Sequence, residues 1–252
     1  TLSLAYSMGR LLKSNSLVRK MHACETMGAV SVICTDKTGT LTQNQMRVTE
    51  AFFSEEYLAN GFVSESLSLN SSANLDLSDA EKPKVIGNPT EGALLLWLKE
   101  RGIDYLKFRE QTEVIEKLPF TTENKYMATV ISSKALGKKV LLVKGAPEII
   151  LQMCKSFDEC FSAEVVKETL AGFQKKAMRT LGFAYKFIES EGSVIEDRKL
   201  KDLDLCFMGM TGIVDPVRAD VPTAVRECLN AGIGHVIVIP HPADIRIRVI
   251  GI

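Results

Sequence analysis

Val30-Ser31-Val32-Ile33-Cys34-Thr35 is short, apolar and rich in β-branched residues, and it runs directly into Asp36-Lys37-Thr38-Gly39-Thr40-Leu41-Thr42. A run of this length and composition reads as a buried strand of a parallel sheet. In open α/β sheets the reactive groups stand just beyond the carboxyl ends of the strands, which is where the chain puts Asp36. Gly39 breaks the pattern and allows a turn whose backbone N–H groups can aim at phosphate oxygens without a Cβ in the way. A carboxylate so placed can attack a phosphoryl group, giving an acyl phosphate that water later hydrolyses. Asp36, Lys37, Thr38 and Thr40 are the candidate catalytic residues, the threonine hydroxyls adding hydrogen bonds. Magnesium, held by Asp36 and by Thr38, would neutralise charge on the transferring group. A strand-ending Asp in a polar turn accounts well for a bare Asp-x-x-Gly and poorly for the whole heptapeptide.

Bulk properties narrow the classes around this motif. Lys plus Arg and Asp plus Glu stand at 31 each, so no net charge draws the chain to nucleic acid, and none is expected as a partner. Hydrophobic residues at 46% and charged residues at 25% fit a folded globular chain rather than a disordered one. The cysteines Cys24, Cys34, Cys154, Cys160, Cys206 and Cys228 form no C-x-x-C pair, which suits reduced thiols in a cytosolic compartment. Cys154 and Cys160 read as small buried hydrophobes before metal ligands. No apolar run approaches the ~18 to 20 residues a membrane span needs, and the start of the chain lacks the apolar core of a signal peptide.

Along the chain, residues 2 to 27 read as a helix or helix-turn-helix, with Leu4, Met8, Leu11 and Leu12 at helical spacing. Residues 64 to 84, rich in Ser, Asn, Asp and Lys, read as a surface loop with little part in the core. A helix is expected from Thr90 to Arg101, with Asn88 as N-cap, Pro89 at the first position and Gly102 past the end. Strands fit 127 to 132, 139 to 143, 182 to 188 and 205 to 213. Helices fit 147 to 154, 162 to 179 and 220 to 230, and His235 to Ile239 looks like another buried strand. The order suggests an α/β sheet begun early, interrupted by a large insertion and resumed near Asp215.

The heptapeptide at Asp36 is identified as the signature of P-type ATPases, whose Asp is the residue phosphorylated by ATP. Leu4-Ala5-Tyr6-Ser7, Leu17-Val18-Arg19-Lys20 and Ala23-Cys24-Glu25-Thr26-Met27-Gly28 resemble the plasma-membrane-type calcium pumps and their bacterial relatives. Nearly the whole chain can be laid on the family's large cytoplasmic loop. The resemblance implies an α/β fold: a haloacid-dehalogenase-like (Rossmannoid) phosphorylation domain, incomplete here, with an inserted α+β nucleotide-binding domain. It divides the chain into 1–44 (stalk and first part of the phosphorylation domain), 45–214 (nucleotide-binding domain) and 215–252 (second part). It also implies ATP and Mg²⁺, with Ca²⁺ as the cation moved in an absent membrane domain. The chain would then be a cytoplasmic domain of an integral protein of the plasma or inner membrane, working with the other domains of its parent.

Several segments resemble the family's nucleotide domain. Gly87-Asn88-Pro89-Thr90-Glu91-Gly92-Ala93-Leu94 is similar to the segment whose Glu lies near the adenine amino group. Asn88 and Glu91 also have capping-box spacing, which would by itself account for both. Phe120 matches the aromatic on which adenine stacks, although a core position is the commoner fate of a Phe. Lys125 matches a lysine lining the pocket, and Asn124 stands where the family usually has Arg. Lys144, in Lys144-Gly145-Ala146-Pro147-Glu148, matches the lysine of the Lys-Gly-Ala motif at the pocket floor, and Gly145 permits close backbone approach. Arg179 matches an arginine that reaches the ATP phosphates. Each of these cations, taken alone, reads most often as a solvated surface charge. Asp215-Pro216-Val217-Arg218 resembles the hinge motif where the chain re-enters the phosphorylation domain; a turn with a helix N-cap fits it as well.

The resemblance departs after Ala231-Gly232-Ile233, where the family's Thr-Gly-Asp motif is absent. His235 and His241 are weak as a metal pair. The chain also stops before the family's Gly-Asp-Gly motif and its phosphate-contacting lysine, so Asp36 is expected to be a poor nucleophile in this piece, with little turnover. Two other readings compete: a soluble phosphatase of the same superfamily, and a nucleotide-binding module without turnover. Such phosphatases carry a second Asp two residues after the nucleophile, where this chain has Thr38.

Overall fold

The computed structural model describes residues 2–250 apart from 80–82, 159–160, 190–191, 197, 202–203 and 242–243, with the backbone alone over 235–241 and 244–250. Two compact units result, Thr1–Asn44 with Pro216–Ile252, and Gln45–Asp215. The first begins with α1 (Leu2–Lys13), α2 (His22–Gly28) and β1 (Val32–Asp36). The second runs through β2 (Arg47–Phe53), α3 (Glu55–Ala59), α4 (Phe62–Leu69), β3 (Asn74–Asp76), β4 (Lys84–Ile86), α5 (Pro89–Glu100), α6 (Tyr105–Gln111) and β5 (Val114–Leu118). It continues with β6 (Tyr126–Ser133), β7 (Lys138–Gly145), α7 (Pro147–Met153), β8 (Cys154–Phe157), α8 (Ala163–Lys175) and β9 (Arg179–Phe187). The short β10 (Ile195–Glu196) and β11 (Lys199–Leu200) precede β12 (Leu205–Val214), after which α9 (Val221–Asn230), β13 (Gly234–His241) and β14 (Asp244–Ile250) return to the first unit.

In the first unit β13 lies parallel to β1, with Asp36 beside Val238, and β14 turns back antiparallel to β13. Two strands far apart in the chain are thus neighbours in one sheet. The burial expected of β1 is not found, since Val32 is 50% exposed. A parallel strand becomes buried when helices cover both faces, and β1 is the edge of a sheet ordered β1-β13-β14. The side chains of His235 and His241, and all of Cys160, lie outside the described residues, and with them the metal readings.

The second unit is built on a sheet ordered β2-β12-β9-β7-β6-β5, with β8 pairing parallel to β12 beyond the end of β2. The other neighbours in it are antiparallel. Its central strands are apolar at successive positions because both faces are covered. On β7, Val140 and Leu142 join a cluster with Phe62 and Leu67 of α4 and Leu94 and Leu98 of α5. Leu141 and Val143 face the other way, toward Ile150 of α7 and Val166, Leu170 and Phe173 of α8. On β12 the alternation slips at a bulge between Phe207 and Gly209, so Phe207 and Met210 share one cluster. Gly209 allows it: its φ is +155°, and a Cβ there would stand 2.4 Å from Phe52 O and 2.3 Å from the Phe53 ring.

The reading of 64 to 84 as a surface loop is overturned over residues 64 to 75, while Leu77, Ser78, Asp79 and Lys84 are exposed as expected. Every residue of α4 is buried, and Leu69, Ala73 and Leu75 belong to the core. The polar residues that suggested solvent have partners inside the protein. Ser68 Oγ donates to Ser64 O at 2.6 Å, Thr129 Oγ1 donates to Asn70 Oδ1 at 3.0 Å, and Asn70 Nδ2 donates to Leu142 O at 3.4 Å. The Glu65 carboxylate accepts from Lys134 N at 2.9 Å, from Thr112 Oγ1 at 3.3 Å and from Ser133 Oγ. A serine-rich stretch is small enough to pack closely, and once its hydroxyls are bonded internally the cost of burying them is largely removed.

Candidate functional site

A cavity of about 500 Å³ opens in the second unit, at the end of the sheet where Met127, Lys144 and Leu181 lie on neighbouring strands. The N-terminal turn of α5 contributes Asn88, Thr90 and Glu91, and the segment before β6 contributes Phe120, Thr122 and Lys125. Gly145, Ala146, Arg179 and Thr180 complete the lining. Glu91, Phe120, Lys125, Lys144, Gly145 and Arg179, proposed from separated stretches of sequence, therefore line one space.

Local chemistry explains each placement. Asn88 caps α5, its Oδ1 accepting from Thr90 N at 2.9 Å, with Pro89 at the first helical position. The capping box fails at its other half, because the Glu91 carboxylate points elsewhere. Its Oε2 accepts from Ser72 N at 2.6 Å, Ser72 Oγ at 2.7 Å, Ala73 N at 3.1 Å and Ser71 Oγ at 3.3 Å. Its Oε1 faces Lys144 Nζ at 2.8 Å. Burial works against the ionised carboxylate, but the Lys144 charge and the Ser72 hydrogen bonds outweigh it and hold Glu91 down at about 2.

Lys144 is 4% exposed. Burial pushes its ammonium down to about 8; Glu91 resists that fall, while Lys117 and Arg109 add to it. The Glu91 contact is off-line for a hydrogen bond, and no other acceptor among the described residues reaches Nζ. The two partners shift in a sense that a simple ion pair would not give. Glu91 has several donors to offset its desolvation and Lys144 has one anion, so the carboxylate is secure and the ammonium is the labile half. The floor of the cavity thus holds a buried cation with donors to spare.

Phe120 is 55% exposed, so it stands at the cavity rather than in the core. Lys125 has a left-handed φ of +58°, and its carbonyl accepts from Ala146 N at 3.1 Å. Gly145 permits that crossing: a Cβ there would sit 2.4 Å from Lys125 O. The close approach expected of this glycine is made by the chain itself. Arg179 Nη1 donates to Thr90 Oγ1 at 2.7 Å, which holds the guanidinium beside the start of α5.

Asn124 does not line the cavity; its Nδ2 donates to Arg198 O at 3.0 Å. Asp215 is not brought into the cavity either. Its Oδ1 accepts from Gln45 N at 3.1 Å, across the two crossings where the chain enters and leaves the second unit. Thr90 was within a motif already singled out and Met127 within an expected strand, and Thr122 carried no separate signal. Ser71, Ser72 and Ala73, which hold Glu91, were hidden in the stretch read as a loop.

Asp36, Lys37, Thr38 and Thr40 belong to the first unit. Asp36 is exposed at the carboxyl end of β1, and the turn after it has Gly39 at φ +78°. Thr42 is 3% exposed and closes the turn: its Oγ1 accepts from Gly39 N at 3.2 Å and donates to Lys37 O at 3.3 Å. The returning chain is stitched alongside, Gln43 N donating to Pro216 O at 2.9 Å and Arg218 N to Leu41 O at 3.0 Å. Among the described residues no cluster of three or more His, Cys, Asp or Glu forms a ready cation site.

The cation-floored cavity thus opens at the end of a sheet packed on both faces, and comparison with known proteins says to which family such a chain belongs. The family model described as P-type ATPase, cytoplasmic domain N, matches residues 60–220. The chain belongs to the P-type ATPase family. It is 36% identical over 253 residues to the calcium-transporting ATPase PAT1 of Dictyostelium discoideum, covering 92% of this chain and 22% of that protein. It is 36% identical over 256 residues to a putative plasma membrane-type calcium-transporting ATPase 13 of Arabidopsis thaliana, covering 92% and 24%. Calcium-transporting ATPase 1 of Lactococcus lactis is 32% identical over 246 residues, covering 92% and 28%. The chain therefore spans about a quarter of the length of these relatives. No helix among the described residues is long and apolar enough to cross a membrane.

Proposed function

We propose that Gln45–Asp215 is the ATP-binding domain, and the other unit part of a haloacid-dehalogenase-like phosphorylation domain, of a calcium-transporting P-type ATPase. The observation that carries the proposal is the convergence of Phe120, Lys144, Glu91 and Arg179 on one cavity of about 500 Å³. An exposed aromatic ring offers a face for a purine, and Lys144 offers donors and charge at the floor. Lys125 and Arg179 offer cations to the phosphates, by charge attraction that salt screens. Mixed apolar and polar lining of this size suits a nucleotide.

In the whole pump a carboxylate oxygen of Asp36 attacks the γ-phosphorus of ATP. The bond to the β,γ-bridging oxygen breaks, ADP departs with those electrons, and water later hydrolyses the acyl phosphate. Magnesium would supply charge neutralisation when bound; Asp36 and Thr38 are the residues of this chain that would hold it. Thr38, where a soluble phosphatase has its second Asp, favours the pump over that alternative. Calcium as the cargo, and membrane localisation through the rest of the parent, rest on the relatives named above.

The test is titration calorimetry with ADP on this chain and on Phe120→Ala. Loss of a base–aromatic stack should weaken binding by about 1–3 kcal/mol. Equal affinity in the two proteins would remove Phe120 from the site, and absence of ADP binding to the unaltered chain would refute the nucleotide reading.

A further inference from the structure

Lys144 can serve an incoming ligand only if something keeps its ammonium charged and aimed at the cavity while it is 4% exposed. Glu91 is the anion that does so, at 2.8 Å. A glutamate side chain has freedom of its own, and one oxygen facing Lys144 requires that the other be anchored. The anchor is the segment between α4 and β3, where Ser72 makes the two shortest hydrogen bonds to Oε2, from its backbone N at 2.6 Å and its hydroxyl at 2.7 Å, beside longer ones from Ala73 N at 3.1 Å and Ser71 Oγ at 3.3 Å. That segment is itself tied from behind. Arg109 Nη2 donates to Ala73 O at 2.9 Å, and Lys117 Nζ donates to Ser71 O at 3.1 Å.

We propose that Ser72 is a positioning residue of the nucleotide site, fixing the Glu91 carboxylate so that its free oxygen holds Lys144 charged at the cavity floor. The proposal rests on the nucleotide reading and assigns a task to a residue outside the cavity lining. The charged groups facing Lys144 are Glu91 on α5, Lys117 on β5 and Arg109 on α6, with Lys125 and Arg179 lining the same cavity. Glu91 is the sole anion in that set, so the protonation of Lys144 depends on where its carboxylate points. Burial already brings the ammonium down to about 8. Nucleotide affinity should therefore fall as pH rises through that value, because the neutral amine presents no charge to the ligand. A terminal phosphate titrates near about 6, so the charge of ADP is constant over this window.

The experiment measures ADP affinity by calorimetry between about pH 7 and 10 for the unaltered chain, Ser72→Ala, Ser72→Thr and Glu91→Gln. Ser72 is exposed, so the added methyl of threonine has room and the alanine variant is expected to fold. Ser72→Ala should bind ADP roughly three- to tenfold more weakly at pH 7, because a Glu91 carboxylate that comes loose leaves more of the Lys144 amine neutral there, and its alkaline midpoint should move to lower pH. Ser72→Thr should restore both, and Glu91→Gln should move the midpoint further still. Urea unfolding followed by Trp97 separates this from loss of structure. A Ser72→Ala protein with the unaltered affinity and midpoint overturns the proposal, as does a weakened one whose midpoint stays in place. If the unaltered chain fails to bind ADP, the nucleotide reading itself falls, a result distinct from either.

Discussion

Replacing Gly145 with Ala puts one methyl group where the backbone of the neighbouring strand passes. The added Cβ would lie 2.4 Å from Lys125 O and 2.8 Å from both Tyr126 Cα and Tyr126 Cβ. None of these is the far end of a flexible side chain, and Tyr126 is the direct partner of Gly145 in the sheet. The strands must part, which strains the sheet and stretches the Ala146 N to Lys125 O hydrogen bond of 3.1 Å. Overpacking of this kind costs about 1–3 kcal/mol and loss of the hydrogen bond about 1 kcal/mol, so about 2–4 kcal/mol is expected. Trp97 is the single tryptophan, 6% exposed in the core of the second unit. Its fluorescence reports urea unfolding of that unit alone. With a urea slope of about 2 kcal/mol/M, the middle of the usual range, the midpoint should fall by about 1–2 M. Gly172→Ala is the counter-test, because that glycine lies inside α8 with nothing within 4 Å of the added Cβ. There alanine should raise stability by about 0.5–1 kcal/mol. An unchanged midpoint for Gly145→Ala, or shifts of the same sign in both variants, would refute the steric argument.

Acid should weaken the second unit through Glu91. Its carboxyl is held at about 2 against an ordinary 4.5, so the stabilisation is full above the ordinary value and is lost as pH falls toward the lower one. The difference corresponds to about 3 kcal/mol. Because pH 3 still lies above the folded value, Trp97-monitored urea curves at pH 6 and pH 3 should differ by about 2 kcal/mol of it, and Glu91→Gln should bring them closer. Leu67→Ala should cost about 2–5 kcal/mol as a core truncation; a change under about 0.5 kcal/mol would return α4 to the surface. In the intact pump, radiolabelled ATP with calcium should leave an acid-stable, hydroxylamine-labile phosphate on the protein, and Asp36→Asn should abolish it while nucleotide still binds. Persistent label in the asparagine variant would sink the mechanism.

The local grammar of this chain was readable without coordinates. Asn88, Pro89 and Gly102 bracket α5 because caps and breakers act within a few residues. The apolar runs at β6, β7, β9 and β12 are strands because each is covered on both faces, and that leaves a continuous signal along the chain. The motif residues Lys144, Glu91, Phe120 and Arg179 could be named from resemblance, since they sit in short segments whose chemistry is legible one segment at a time. By contrast β2, β5 and α6 had no assignment, and the serine-rich α4 was misread. Composition reports whether a polar group needs a partner, and only the tertiary structure supplies Thr112, Lys134 and the rest that satisfy Glu65. The same limit explains Glu91. Its spacing from Asn88 predicted a local cap, but a carboxylate beside a buried lysine gains more from a charge partner than from one backbone N–H. Lys144 lies 53 residues further on, as 144 less 91. Sequence alone determined which side chains were available to the site. Which of them meet, which are buried and which change their proton affinity was decided by contacts between segments far apart in the chain, and no local pattern encodes those.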